Sequence, residues 1–78
     1  MIVRCMVAAI NANGEADFYF VKADCSGCQY DVGEHYDAAE NQAIEKGYEP
    51  KLTFDEWDTA GKSILDHFVW DTATTVNI

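Results

Sequence analysis

The stretch that decides the fold is IVRCMVAAINANGEADFYFVKA, residues 2–23. Two runs rich in Val, Ile, Phe and Tyr, residues 2–12 and 16–23, flank Asn13-Gly14, the strongest short-range signal for a β-hairpin. A two-residue type I′ turn at Asn13-Gly14 would pair residues whose numbers sum to 27. That register sets Val7 opposite Phe20, Ala9 opposite Phe18 and Cys5 opposite Lys22 on one face. The other face then holds Met6 opposite Val21, Ala8 opposite Tyr19 and Ile10 opposite Asp17. Both faces are rich in apolar side chains, whereas a half-solvated antiparallel sheet alternates apolar with polar, so both faces require cover.

Working outward, the segment 31–47 reads as an amphipathic helix. Asp31 and Glu34 resemble a capping box, and Gly47 stands where a helix C′ residue belongs. At 100° per residue, Tyr36, Ala39 and Ala43 gather on one side, with Glu34, Asp37, Asn41 and Glu45 opposite. Residues 48–54 alternate as a short strand, and Pro50 near its front suits an edge position. Trp57, Ala60, Gly61, Ile64, Leu65 and Phe68 repeat at helical spacing behind an N-terminus marked by Thr53 or Asp55. Val69 and Trp70 fall off that stripe, so the chain turns there, and residues 69–78 suit a last strand. The expectation is an α+β fold: an N-terminal antiparallel hairpin with two amphipathic helices on a small sheet, ordered ββαβα with an optional C-terminal strand.

Seventy-eight residues allow one domain, spanning 1–78. Hydrophobic residues make up 49% of the chain, too many for a disordered one. A core of this size supplies only about 3–5 kcal/mol, so a metal, disulfides or a second subunit each come into question. Arg4 interrupts the short apolar start, which reads as a strand and not as a targeting signal. No run approaches a membrane span, and an odd number of cysteines favours reduced thiols. A cytoplasmic location is expected.

Fourteen Asp and Glu against five Lys and Arg give a formal charge of −9. That balance disfavours direct binding to nucleic acid, whose phosphates need Lys and Arg, and favours a protein partner with a basic surface. Residues 31–58 hold nine carboxylates and two lysines, and so carry −7 of the total. Within them Glu34, Asp37, Glu40, Glu45, Asp55, Glu56 and Asp58 are the candidate partner-binding residues. They matter as a site only if the helix stripe and the 55–58 cluster form one continuous surface. The competing reading is solvation, with Asp55, Glu56 and Asp58 placed in a first helical turn where the macrodipole favours carboxylates.

Other chemistry is thinner. Cys25 and Cys28 form a C-x-x-C, a spacing that can grip Zn²⁺ or exchange a disulfide. Cys5, with His35 or His67, would have to complete a four-ligand site, and no second paired spacing exists. His35 and His67 have no sequence-local nucleophile or metal partner and read as surface or helix-flank residues. No phosphate loop is present, and neither catalysis nor a cofactor is expected.

The run Tyr30-Asp31-Val32-Gly33-Glu34-His35-Tyr36-Asp37, with Glu45-Lys46-Gly47-Tyr48-Glu49 and Phe54-Asp55-Glu56, resembles small acidic phage and mobile-element proteins of unknown function. In size, acidity and lack of a catalytic motif the chain is similar to anti-CRISPR proteins. That similarity implies a non-enzymatic inhibitor that binds a nucleic-acid-handling complex, in some cases as a nucleic-acid mimic. Two alternatives stand beside it. One is a homodimeric structural protein that buries a hairpin face containing Met6, Tyr19 and Val21. The other is a zinc or redox module using Cys25 and Cys28.

Overall fold

A computed structural model describes residues 2–24 and 34–78. The hairpin strands are β1 (Ile2–Ile10) and β2 (Ala16–Asp24). Helix α1 (Glu34–Glu45), strand β3 (Glu49–Asp55), helix α2 (Lys62–His67), a 3-10 turn (Trp70–Thr72) and strand β4 (Thr74–Asn77) follow. The four strands form one sheet in the order β3-β1-β2-β4. β1 is antiparallel to both β2 and β3, while β4 runs parallel to β2. The fold is α+β with an N-terminal hairpin, and the last strand is present.

The hairpin register differs from the expected one by a single residue. Partners sum to 26, from Ile2 opposite Asp24 to Ile10 opposite Ala16. A type I′ turn needs positive φ at both central residues, yet among the described residues only Gly14 and Gly47 have it. The loop instead runs from Asn11 to Glu15. Gly14 N–H donates to Asn11 O at 3.0 Å, and Asn11 N–H donates to Glu15 O at 2.8 Å. Gly14, at φ 79°, is the left-handed residue of a three-residue loop with a bulge. Asn11 secures the loop, because its Oδ1 accepts from the N–H groups of both Asn13 and Glu15.

A one-residue slip exchanges partners across the whole ladder. Val7 now faces Tyr19, Cys5 faces Val21, Met6 faces Phe20 and Ala8 faces Phe18. Met6 therefore does not share a face with Tyr19 and Val21, and the single hairpin face expected to bury a second subunit does not exist. Met6 and Val21 are both buried inside one chain.

On one side of the sheet Val3, Cys5, Val7, Ala9, Val21 and Ala23 form a core with Ala39 and Ala43 of α1. Two alanines let the helix backbone lie close to the strands. Gly47 ends α1 as expected: Tyr48 N–H donates to Ala43 O and Gly47 N–H to Ile44 O, the paired bonds of a Schellman motif, with Gly47 at φ 89°. Tyr48 then packs on the same core, its ring 5.1 Å from that of Tyr19. Asp31, half of the expected capping box, lies outside the described residues.

On the other side, Met6, Phe20 and Phe54 are covered by α2 and the turn after it. Leu65 is fully buried there, worth about 1.5–3 kcal/mol over an exposed leucine. Phe68 stacks on Phe20 at 3.7 Å, and Trp70 meets Phe20 edge-on at 5.6 Å. Gly61 belongs to this contact, since a Cβ there would lie 3.1 Å from Phe54 Cβ.

The second helix is shorter than its periodicity predicts. It starts at Lys62, because β3 continues through Thr53 to Asp55 and the next residues turn. Neither Thr53 nor Asp55 marks its start, and Trp57 and Ile64 are exposed. β3 is an edge strand, as Pro50 suggests. A bulge at Lys51 shifts its register between Ala8–Leu52 and Ala9–Pro50.

Candidate functional site

The acidic segment divides into two groups with different surroundings. Helix α1 turns His35, Ala39 and Ala43 inward at i, i+4, i+8. That spacing leaves Glu34, Asp37, Asn41 and Glu45 on the outward side, all exposed, with Glu40 half-buried at the flank. Among the described residues no cation forms an ion pair with Glu34, Asp37, Glu40 or Glu45. Glu34 and Asp37 lie in the first turn, where the macrodipole favours a carboxylate by about 0.3–1 kcal/mol. Glu45 lies in the last turn, where the same dipole opposes it, and no basic residue is present in that turn.

The second group is occupied inside the fold. Asp55, at the end of β3 opposite Cys5, is 5% exposed and faces α1. Its Oδ2 lies 2.8 Å from His35 Nε2, and its Oδ1 accepts from the backbone N–H groups of Trp57 and Asp58. Asp58 returns the bond, since its Oδ2 accepts from Asp55 N–H at 2.9 Å and also from the Tyr36 hydroxyl at 3.1 Å. Two aspartates thus hold a turn through each other's backbone, the local role that short acidic side chains play best. Burial alone would raise the Asp55 carboxyl, but the hydrogen bonds from His35 and Trp57 N–H, the nearby Tyr36 hydroxyl and the charge of His35 outweigh it. Its pKa falls below 3.8. Burial and the adjacent carboxylates of Asp55 and Asp58 raise the Tyr36 phenol well above 10.

Glu56 is also committed. β3 stops pairing with β1 at Cys5, and Glu56 Oε2 takes over at the next position, accepting from Arg4 N–H at 3.2 Å and from Arg4 Nε at 3.1 Å. Arg4 also reaches Asp66 at 3.5 Å and lies 5.8 Å from the Trp70 ring centre, so Glu56 serves the α2 side of the sheet. The expected continuous surface from Glu34 to Asp58 is therefore replaced by an open group on α1 and a closed one in the turn. Asp55, Glu56 and Asp58 do not occupy a first helical turn, because α2 begins after them.

No known protein family, curated protein or solved structure matches the chain.

His35 is 1% exposed, not a surface residue, and its imidazole lies 6.0 Å from the Trp57 ring, edge to face. Its burial was signalled by Ala39 and Ala43, whose i+4 spacing extends back one turn to position 35. His67 is exposed, with Nδ1 2.6 Å from Ser63 O. Cys5 is buried under α1, its Sγ 3.8 Å from Val3 O and 4.0 Å from His35 O. Cys25 and Cys28 lie outside the described residues. Among the described residues no group of three His, Cys, Asp or Glu is placed to hold a metal ion, and no helix is long and apolar enough to cross a membrane.

Proposed function

We propose that this protein is a non-enzymatic binding module whose partner is a protein with a basic surface, engaged by the outer face of α1. The proposed consequence is inhibition: the acidic helix occupies a surface that the partner otherwise uses for nucleic-acid phosphates, as in phage-encoded inhibitors of the anti-CRISPR type. The continuous acidic surface on which the sequence reading depended does not form, so the reading rests instead on the smaller exposed trio Glu34, Asp37 and Glu45, free of intramolecular ion pairs among the described residues. Helix stability explains Glu34 and Asp37 but not Glu45, which the dipole opposes. Three uncompensated carboxylates on one rigid element attract a basic surface over about a Debye length, roughly 8–10 Å at ordinary salt. The His35–Asp55 pair, the one buried acid–base pair among the described residues, is closed to a substrate by its burial and spends its hydrogen bonds on the turn.

Affinity capture from a host lysate, comparing wild type with a Glu34→Lys, Asp37→Lys, Glu45→Lys variant, tests this function. Wild type is expected to retain a basic nucleic-acid-binding protein at low salt, release it steeply as salt rises, and lose it to competing nucleic acid. The triple variant, folded normally, should retain none. Equal capture by the two proteins, or a captured partner that keeps its nucleic acid, removes the α1 surface from the account.

A further inference from the structure

Asn13-Gly14 sits at the tip of the hairpin without making the two-residue turn it favours, and the pair stands open to water. Both residues are exposed, and a Cβ at Gly14 would meet nothing within 4 Å. Asn13 enters the loop network through its backbone N–H, which donates to Asn11 Oδ1 at 2.9 Å, while among the described residues its side-chain amide makes no hydrogen bond. Asn11 clamps the loop. Its Oδ1 also accepts from Glu15 N–H, and its carbonyl accepts from Gly14 N–H at 3.0 Å.

We infer that Asn13 is a site of spontaneous covalent modification, losing its side-chain amide through a cyclic imide formed with Gly14, at a pace set by the Asn11 clamp. Gly14 N gives its proton to solvent and attacks Asn13 Cγ. The new N–Cγ bond replaces the bond to the amide nitrogen, which leaves as ammonia. Water then opens the five-membered ring at either carbonyl. One opening leaves an aspartyl linkage, and the other routes the main chain through the side chain as an isoaspartyl linkage with one extra backbone atom. Glycine suits the closure, because it has no Cβ to crowd the attacking nitrogen and its backbone turns freely.

The other asparagines are placed against this reaction. Asn11 precedes Ala12 and spends its Oδ1 on the loop. Asn41 lies within α1, where the following N–H is held in the helical ladder. Asn77 precedes the β-branched Ile78, whose N–H donates to Asp24 O. At Asn13 the opposing restraint is one hydrogen bond, from Gly14 N–H to Asn11 O, on an exposed loop whose local opening costs less than unfolding the sheet. The isoaspartyl product inserts its extra atom between the Asn13 and Gly14 N–H groups that Asn11 holds, so it loosens the loop that sets the ladder register.

Peptide mapping by mass spectrometry of the full chain, held for weeks in mildly alkaline buffer, is the test. Wild type should accumulate a species about one dalton heavier, located at Asn13 and divided between aspartyl and isoaspartyl forms, before any conversion at Asn11, Asn41 or Asn77. Asn11→Ala removes the side-chain acceptor for two loop N–H groups and should convert Asn13 about fivefold faster or more. Asn11→Asp keeps an acceptor there and should stay near the wild-type rate. Should Asn11→Ala misfold, wild type in denaturing urea replaces it and must convert faster than the folded chain. An Asn13 that stays intact, or another asparagine that converts first, overturns the site. Equal rates with and without the clamp overturn its pacing role.

Discussion

The outer face of α1 and the turn from β3 to α2 each carry three carboxylates, yet those carboxylates do opposite things. Glu34, Asp37 and Glu45 are exposed and form no ion pair among the described residues. Asp55 and Asp58 hold each other's backbone and bind His35 and Tyr36, while Glu56 completes the hydrogen bonding of β1 where β3 ends. Charge counted along a sequence therefore overstates the charge available to a partner. Among the described residues from 34 to 58, the exposed carboxylates without an ion pair lie on α1.

The contrast is broken most severely at Asp55. Asp55→Ala removes the acceptor for His35 and for two backbone N–H groups, all buried or partly buried. Deleting one partner of a buried pair costs about 3–5 kcal/mol, a large share of the stability of a small domain. Urea denaturation should show a folded fraction reduced even without denaturant.

Acid should reach the same turn. Asp55 has a folded pKa depressed below 3.8, so the unfolded chain binds the extra proton as pH falls. The stabilisation is fully present above about pH 4–5 and is lost as pH drops through the folded value. Denaturation midpoints between about pH 5 and pH 2 should fall more steeply for wild type than for Asp55→Asn, which has no such carboxyl to titrate. Parallel curves would mean that Asp55 is not held as an ion in the folded state.

A smaller effect is expected at Tyr36. Tyr36→Phe deletes one hydrogen bond to Asp58, worth about 1 kcal/mol. The same variant should lose a phenolate absorbance component that titrates well above the ordinary value near 10.

Much of this architecture was legible in the sequence: the hairpin, the Gly47 stop, the edge strand at Pro50 and the last strand all follow from local chemistry. What was not legible came from side chains competing with the backbone. Asn11 captures the hairpin loop, lengthens it by one residue relative to a type I′ turn, and so re-pairs every residue of the ladder. Asp55 and Asp58 capture the turn and delay α2 to Lys62, although Trp57, Ala60 and Gly61 have helical spacing. Composition also concealed His35. A polar residue on the buried side of a helix needs a partner, and that partner lies 20 residues away at the end of β3.

The most direct test of the division is a side-by-side urea titration of two neutralised variants. One carries Glu34→Gln, Asp37→Asn and Glu45→Gln; the other carries Asp55→Asn, Glu56→Gln and Asp58→Asn. The helix variant should lie within about 0.5 kcal/mol of wild type, as exposed substitutions do, and the turn variant should lose several kcal/mol or fail to fold. Equal losses, or a tolerant turn beside a fragile helix, would contradict the division of the acidic segment into an open and a closed group.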